Sequence, residues 1–229
     1  MRKANTREIS HKALVVLSGG QDSTTCLYWA LKHFDSVTSI TFDYGQRHRI
    51  ELDAARKVAG VSGVEHAVLP IDTFAVLGGN ALTGDEVVDT VATEGQLPNT
   101  FVPGRNLIFL TFAAAYAYQR GIRDLVAGVC QTDYSGYPDC RQNTVEALQV
   151  AINLGMETQI RIHTPLMWMT KAETVLFAKE VGALEALAWS HTCYNGEVPP
   201  CENCPACELR AKGFVEAGLP DPLVSRFTQ

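Results

Sequence analysis

The 229-residue chain predicts an α/β fold: a Rossmann-like, doubly wound parallel sheet of about five strands, with a small C-terminal zinc-binding segment. Three observations carry this reading. Short apolar, β-branched runs alternate with helix-length segments, as right-handed crossovers onto a parallel sheet require. A glycine-rich turn, Ser18-Gly19-Gly20-Gln21-Asp22-Ser23, joins the first apolar run to the first helical one. Four of the seven cysteines crowd beyond residue 192 at ligand-like spacing.

Strands are expected over residues 13–17, 36–42, 65–69, 124–128 and 159–163. Helices are expected over 22–33, 47–58, 106–120, 141–154 and 171–181. Residues 72–105 break the rhythm: they hold glycines and prolines and show weak periodicity. A loop that long in a compact domain is usually functional or disordered, and it reads here as a lid or substrate loop that docks Arg105 near the ligand. The expected organisation is a nucleotide-binding domain over 1–190, with a polar extension over 1–12, followed by a metal-binding segment over 191–229.

Composition narrows the class. Hydrophobic residues at 46% and charged residues at 19% suit a globular enzyme, and a net charge of −6 argues against a broad nucleic-acid footprint. Residues 1–12 show no apolar signal-peptide core, and the longest apolar stretch, 107–118, is too short to span a bilayer. A cytoplasmic protein with neither a membrane nor a nucleic-acid partner is expected. An odd number of cysteines in that reducing setting points to metal binding before disulfides.

The turn after the first strand is the most informative segment. Gly19 and Gly20 let backbone approach a ligand, and the bare N–H groups and dipole of the following helix favour an anion. Ser18, Ser23 and Thr24 add hydroxyls, so a phosphate chain is the natural guest. A Walker A loop is excluded, because no Lys precedes its Ser/Thr. Cys26, inside the same helix, reads as core packing in preference to a reactive thiol.

Other polar segments follow the later strands, where open parallel sheets collect ligands. The backbone at Thr41 and Phe42 can read adenine, with Asp43, Gln46, Arg47 and His48 beside it. Asp133, Tyr134, Tyr137, Asp139 and Arg141 suit a flat polar heterocycle, tyrosine by stacking and aspartate by accepting from ring N–H groups. Thr170 and Glu173 form a capping box, which leaves Lys171 in a first helical turn where its charge opposes the dipole. A bound polyphosphate would account for that cation. Cys193-x7-Cys201-x2-Cys204-x2-Cys207 has the number and type of ligands of a closed structural zinc site. Zinc is favoured over an iron–sulfur or redox role, with His191 as a possible substitute ligand.

The first motif resembles the PP-loop of ATP pyrophosphatases (adenine nucleotide alpha hydrolase type). The set as a whole closely resembles the 7-cyano-7-deazaguanine synthase family from residue 13 to about 212. The segments that carry this are Ser-Gly-Gly-Gln-Asp-Ser-Thr-Thr-Cys-Leu, Thr-Phe-Asp-Tyr-Gly-Gln-Arg-His, Phe-Val-Pro-Gly-Arg-Asn, Asp-Tyr-Ser-Gly-Tyr-Pro-Asp-Cys-Arg and Thr-Cys-Tyr-Asn-Gly. The extension before Ala13 and the composition of residues 76–96 depart from it. The resemblance implies that ATP and Mg2+ serve the conversion of 7-carboxy-7-deazaguanine and ammonia to a nitrile, in a homodimer with one structural Zn2+ per chain. It implies ATP contacts along Leu17, Ser18, Gly19, Gly20, Gln21, Asp22, Ser23, Thr24, Thr25, Cys26 and Leu27, with Thr41 and Phe42. It implies catalytic roles for Asp22, a possible Mg2+ ligand, and for Arg105 and Lys171. Asp133, Tyr134, Tyr137, Asp139 and Arg141 would hold the deazaguanine, and Cys193, Cys201, Cys204 and Cys207 the zinc. The rivals are a tRNA-modifying PP-loop enzyme, which should be basic, and a non-catalytic nucleotide sensor or zinc-dependent nucleic-acid binder.

Overall fold

A computed structural model describes residues 11–46, 48–77, 82, 97, 99–132 and 137–228. The strands are β1 (Lys12–Val16), β2 (Ser36–Asp43), β3 (Glu65–Pro70), β4 (Asp124–Ala127) and β5 (Arg161–His163). They pair in parallel in the order β3-β2-β1-β4-β5. The chain winds outward from β1 to β3, then returns to place β4 on the other side of β1. That reversal opens a crevice beyond the carboxyl ends of β1 and β4, where ligands bind in folds of this kind.

Both faces of the sheet are covered, and the period-two alternation of β1 divides them. Leu14 joins Ile40 and Leu125 beneath Ala113, Ala114 and Ala117 of α4 (Arg105–Tyr118). Ala13, Val15 and Leu17 face the other way with Val126. They pack on Cys26, Leu27 and Ala30 of α1 (Gln21–His33) and on Ala55 and Val58 of α2 (Ile50–Val61). The small residues of α4 let that helix lie close to the sheet. Cys26 is fully buried here, and burial pushes its thiol well above the ordinary value, as suits packing.

The remaining helices are α3 (Phe74–Leu77), α5 (Gln142–Gly155), α6 (Lys171–Val181), α7 (Leu184–Leu187), α8 (Pro205–Glu216) and α9 (Pro222–Ser225). The apolar periodicity of the sequence does not announce α3, α7, α8 or α9. Three of these have only four residues, too short for a visible period, and α8 sits among cysteines whose spacing masks its pattern. The capping box at Thr170 and Glu173 forms as expected. A third core cluster joins Val175, Ala178 and Val181 of α6 to Leu187 of α7 and Phe214 of α8.

Arg210 of α8 ties the last elements together. Its Nε and Nη2 donate to Asp221 at 2.6 and 2.8 Å, and its Nη1 donates to Ser190 Oγ at 2.8 Å and Thr192 Oγ1 at 3.0 Å. The Leu187 carbonyl accepts from Nη2 at 3.3 Å. The five donors of the guanidinium are thus all used, at a side chain 5% exposed. Removing one partner of such a pair leaves the other charged and buried. Arg210→Ala and Asp221→Ala are each expected to lower stability by ~3–5 kcal/mol in chemical denaturation, and the double variant by much less than the sum.

Candidate active site

A cleft of about 700 Å3 lies at the switch point of the sheet. Two glycines create the space for it. At Gly19, with φ +82°, an added Cβ would stand 2.6 Å from the Glu51 carbonyl oxygen and 2.7 Å from the Ala55 nitrogen of α2. At Gly128, just past β4, it would stand 2.9 Å from the Ser23 nitrogen. Backbone therefore meets backbone on both sides of the turn, and the start of α1 is pressed against the end of β4. No side chain caps α1, whose N-cap is Gly20. Its first N–H groups are aimed at the cleft with the positive end of the helix dipole.

The hydroxyls of the turn bond among themselves. Ser18 Oγ and Ser23 Oγ lie 3.0 Å apart, and Ser23 Oγ also donates to the Gly20 carbonyl at 3.2 Å. Leu17, Ser18, Gly20, Gln21, Asp22 and Ser23 line the cleft, as do Thr41 and Phe42 at the end of β2. Thr41 Oγ1 donates to the Leu17 carbonyl and fixes the two strand ends together. Gly19, Thr24, Thr25, Cys26 and Leu27 do not line it. Thr24 and Thr25 spend their hydroxyls on the carbonyls of Gly20 and Gln21, and Cys26 and Leu27 face the core. Gln21 stands apart: it is 3% exposed, and neither its amide nitrogen nor its amide oxygen has a hydrogen-bond partner. A buried amide with both ends unpaired is a costly arrangement unless a ligand completes it.

Lys171 reaches Asp22 across two helix N-termini, with Nζ 2.9 Å from Oδ2 and 3.2 Å from Oδ1. Its stem crosses α8 at Gly213, where an added Cβ would stand 2.6 Å from Lys171 Cγ. Arg105 enters from the first turn of α4, after Gly104 at φ +72°, and its Nη1 lies 3.5 Å from Tyr44 Oη. Burial works against its charge, but Tyr44, Tyr137, Tyr194 and Glu51 outweigh that and hold the guanidinium protonated. The resemblance drawn from the sequence assigns all three charged groups to one site, and the structure brings Asp22, Arg105 and Lys171 to the same cleft.

The expected heterocycle contacts divide. Tyr137 lines the cleft, with its hydroxyl 2.5 Å from Thr100 Oγ1. Asp139 does not: it is 5% exposed, and its Oδ2 accepts from the Asn106 N–H at 2.9 Å, capping α4. Arg141 is exposed at the start of α5 and lies outside the lining. Asp133 and Tyr134 lie outside the described residues, as do Arg47 and much of the 72–105 loop.

The cysteine segment forms one wall. The Sγ atoms of Cys193, Cys201, Cys204 and Cys207 all lie within 4.8 Å of one another and can hold a metal ion. His191 is not among them; its backbone N–H donates to the Gly19 carbonyl at 2.8 Å, and its Nε2 lies 3.1 Å from the Cys193 carbonyl. Gly196 lies against the His48 ring, which leaves no room for a Cβ. The cluster is thereby tied both to the phosphate-type turn and to the segment after β2, while Tyr194, Ala206 and Arg210 line the cleft itself.

Gly128, Arg210 and Glu51 are among the cleft residues that escaped sequence reasoning. Gly128 carried one signal, a glycine ending an apolar strand. Arg210 carried none. Glu51 is not singled out in the sequence, yet from the first turn of α2 it lines the cleft. Burial pushes it up to about 7, with Arg105 pulling the other way.

Fold and site together define a nucleotide-binding enzyme of the PP-loop type. A solved 4-thiouridine synthetase, described in complex with RNA and bound ATP, shares the fold at a TM-score of 0.50 and 19% identity, covering 93% of this chain and 52% of that one. The family described as queuosine biosynthesis protein QueC matches residues 12–218. The 7-cyano-7-deazaguanine synthase of Chromobacterium violaceum is 69% identical over 219 residues, 94% of each chain, and that of Bacillus subtilis is 51% identical over 207 residues, 90% and 94% of the two chains. The chain belongs to this QueC family of 7-cyano-7-deazaguanine synthases. Among the described residues no helix is long and apolar enough to cross a membrane.

The position of Glu51 has a measurable consequence in the protein without ligands. A carboxyl raised from 4.5 to about 7 on folding costs nothing below pH 4.5 and costs progressively more as pH rises to about 7. Glu51→Gln should therefore stabilise the protein above pH 7 by ~1–3 kcal/mol, an advantage that fades toward pH 4.5 in denaturation curves.

Proposed function

We propose that this chain joins 7-carboxy-7-deazaguanine and ammonia to give 7-cyano-7-deazaguanine, with ATP cleaved to AMP and pyrophosphate in each of two rounds. In the first, the substrate carboxylate attacks the α-phosphate, and ammonia then displaces AMP to leave an amide. In the second, the amide oxygen is adenylated, and loss of AMP leaves the nitrile. Each round turns a poor oxygen leaving group into a good one, so the protein's work is positioning and the stabilisation of phosphate charge.

The observation that carries this is the uncapped start of α1, set at the switch point and faced by Arg105 and Lys171 in a single cleft. The turn from Ser18 to Ser23 would hold the β and γ phosphates, with Thr24 bracing the start of α1 through its hydroxyl on the Gly20 carbonyl. Lys171 would exchange Asp22 for the phosphates, and Arg105 would stabilise charge at the α-phosphate. Thr41 and Phe42 would bound the adenine. Tyr137, with Asp133 and Tyr134, would hold the deazaguanine, while Asp139 would act through the capped α4 that carries Arg105. Mg2+ bound by Asp22 and ATP would neutralise phosphate charge.

Zn2+ fits the four thiolates. Tetrahedral coordination at ~2.3 Å requires S–S separations of about 3.8 Å, and Cys201 and Cys207 lie 3.9 Å apart. The hydrogen bond between Cys207 and Cys204 pulls Cys204 below an ordinary thiol and pushes Cys207 above it, so a bound metal would displace the proton they share. Four ligands close the shell, so this ion would hold the wall of the cleft without taking part in the reaction. The family resemblance implies a homodimer, and the composition suits the cytoplasm.

The test is a mass-resolved assay of purified, zinc-replete protein with ATP, Mg2+, ammonium and 7-carboxy-7-deazaguanine. The reading expects the nitrile together with AMP and pyrophosphate, and one zinc per chain by elemental analysis. Cleavage of ATP without nitrile would mean a different acceptor, and no cleavage at all would sink the proposal.

A further inference from the structure

Ammonia must lose a proton as it becomes an amide nitrogen, and none of the residues placed so far receives it. Among the described residues lining the cleft, three carry carboxyl groups: Asp22, Glu51 and Glu208. Asp22 is engaged by Lys171 at the phosphate turn. Glu208 stands exposed on the rim, on α8. The histidine of the lining, His191, has its Nε2 taken up by the Cys193 carbonyl at 3.1 Å. Tyr44 is buried and pushed up to about 12, so it stays protonated at neutral pH.

Glu51 differs from all of these. It projects from the first turn of α2, the helix whose backbone meets the phosphate turn at Gly19. The residue is partly buried and lines the cleft, and no ion pair or hydrogen bond holds its carboxyl among the described residues. The charged and titratable groups that face it are Arg105 from α4 and Tyr44 from the segment after β2, with Tyr137 and Tyr194 farther around Arg105. Arg105 turns instead to the Tyr44 hydroxyl. An unpaired carboxylate thus shares the cleft with the arginine assigned to the α-phosphate.

We propose that Glu51 is the proton acceptor for the nitrogen nucleophile. This rests on the reaction proposed above. The ammonia lone pair forms the C–N bond, the bond from the acyl carbon to the AMP oxygen breaks with AMP keeping its electron pair, and the proton shed by nitrogen passes to the Glu51 carboxylate and on to water. The nitrile round makes the same demand, since the amide nitrogen there loses two more protons. A carboxyl raised to about 7 suits the task, because an acceptor works best with its affinity for protons near the working pH.

The test compares the full-length protein with Glu51→Gln in two assays. One is carboxylate-dependent exchange of labelled pyrophosphate into ATP without ammonium, which reports activation alone. The other is amide formation at a fixed concentration of free ammonia across pH 5.5–9. The variant should keep exchange within about threefold and lose amide formation by ~10²–10⁴-fold, together with the limb near pH 7. Equal loss in both assays would make Glu51 a residue for ATP or substrate binding and overturn the assignment, as would undiminished amide formation. Absence of exchange in the unsubstituted protein would sink the reaction itself, and the assignment with it. Folding is controlled, since Glu51→Gln is expected to be the more stable form above pH 7.

Discussion

The start of α1 has to stand bare at the place where the sheet reverses. A helix N-terminus binds phosphate only if its N–H groups are unfilled and backbone can come close, and both conditions are steric before they are electrostatic. Gly19 lets the turn lie on the backbone of α2, and Gly128 lets β4 end against Ser23. A methyl group at either position would push main chain against main chain, which has no side-chain rotamer by which to relax. Around that fixed point the other groups are placed by the elements that hold them: Lys171 by the first turn of α6, Arg105 by the first turn of α4, Glu51 by the first turn of α2. Four helix N-termini thus converge on one cleft, which explains how a protein of net charge −6 can gather positive potential locally.

The C-terminal segment belongs to this arrangement physically. Its metal-ligand cluster is tied to Gly19 through His191, and its helix α8 packs on α6 beneath the stem of Lys171. Arg210 and Asp221 lock α8 to the end of the chain. Stabilising this wall therefore stabilises the turn that faces it.

Much of this is legible in the sequence because it depends on local rules. Alternating apolar runs predict all five strands, and the capping box at Thr170 marks the start of α6 from two residues three apart. The phosphate-type turn and the cysteine spacing are equally local. What escapes depends on distance in space. Gly128 has the look of a strand end, but Ser23 stands against it; Asp139 has the look of a ligand contact, but its carboxyl is taken by Asn106. Glu51 has the pattern of a solvated helix residue, and only the packing of α4 brings Arg105 beside it. Lys171 reads as a cation needing an anion; the structure supplies Asp22 as that anion, across 149 residues of sequence separation.

The central claim is that this cleft directs the substrate's own oxygen onto the α-phosphate of ATP. It is tested most directly by carrying 18O in both carboxylate oxygens of 7-carboxy-7-deazaguanine and weighing the AMP released. The account predicts one labelled oxygen in each AMP, two per nitrile formed, and none in pyrophosphate. Unlabelled AMP, or label in pyrophosphate, would mean that the oxygen never reached the α-phosphate and would contradict the account.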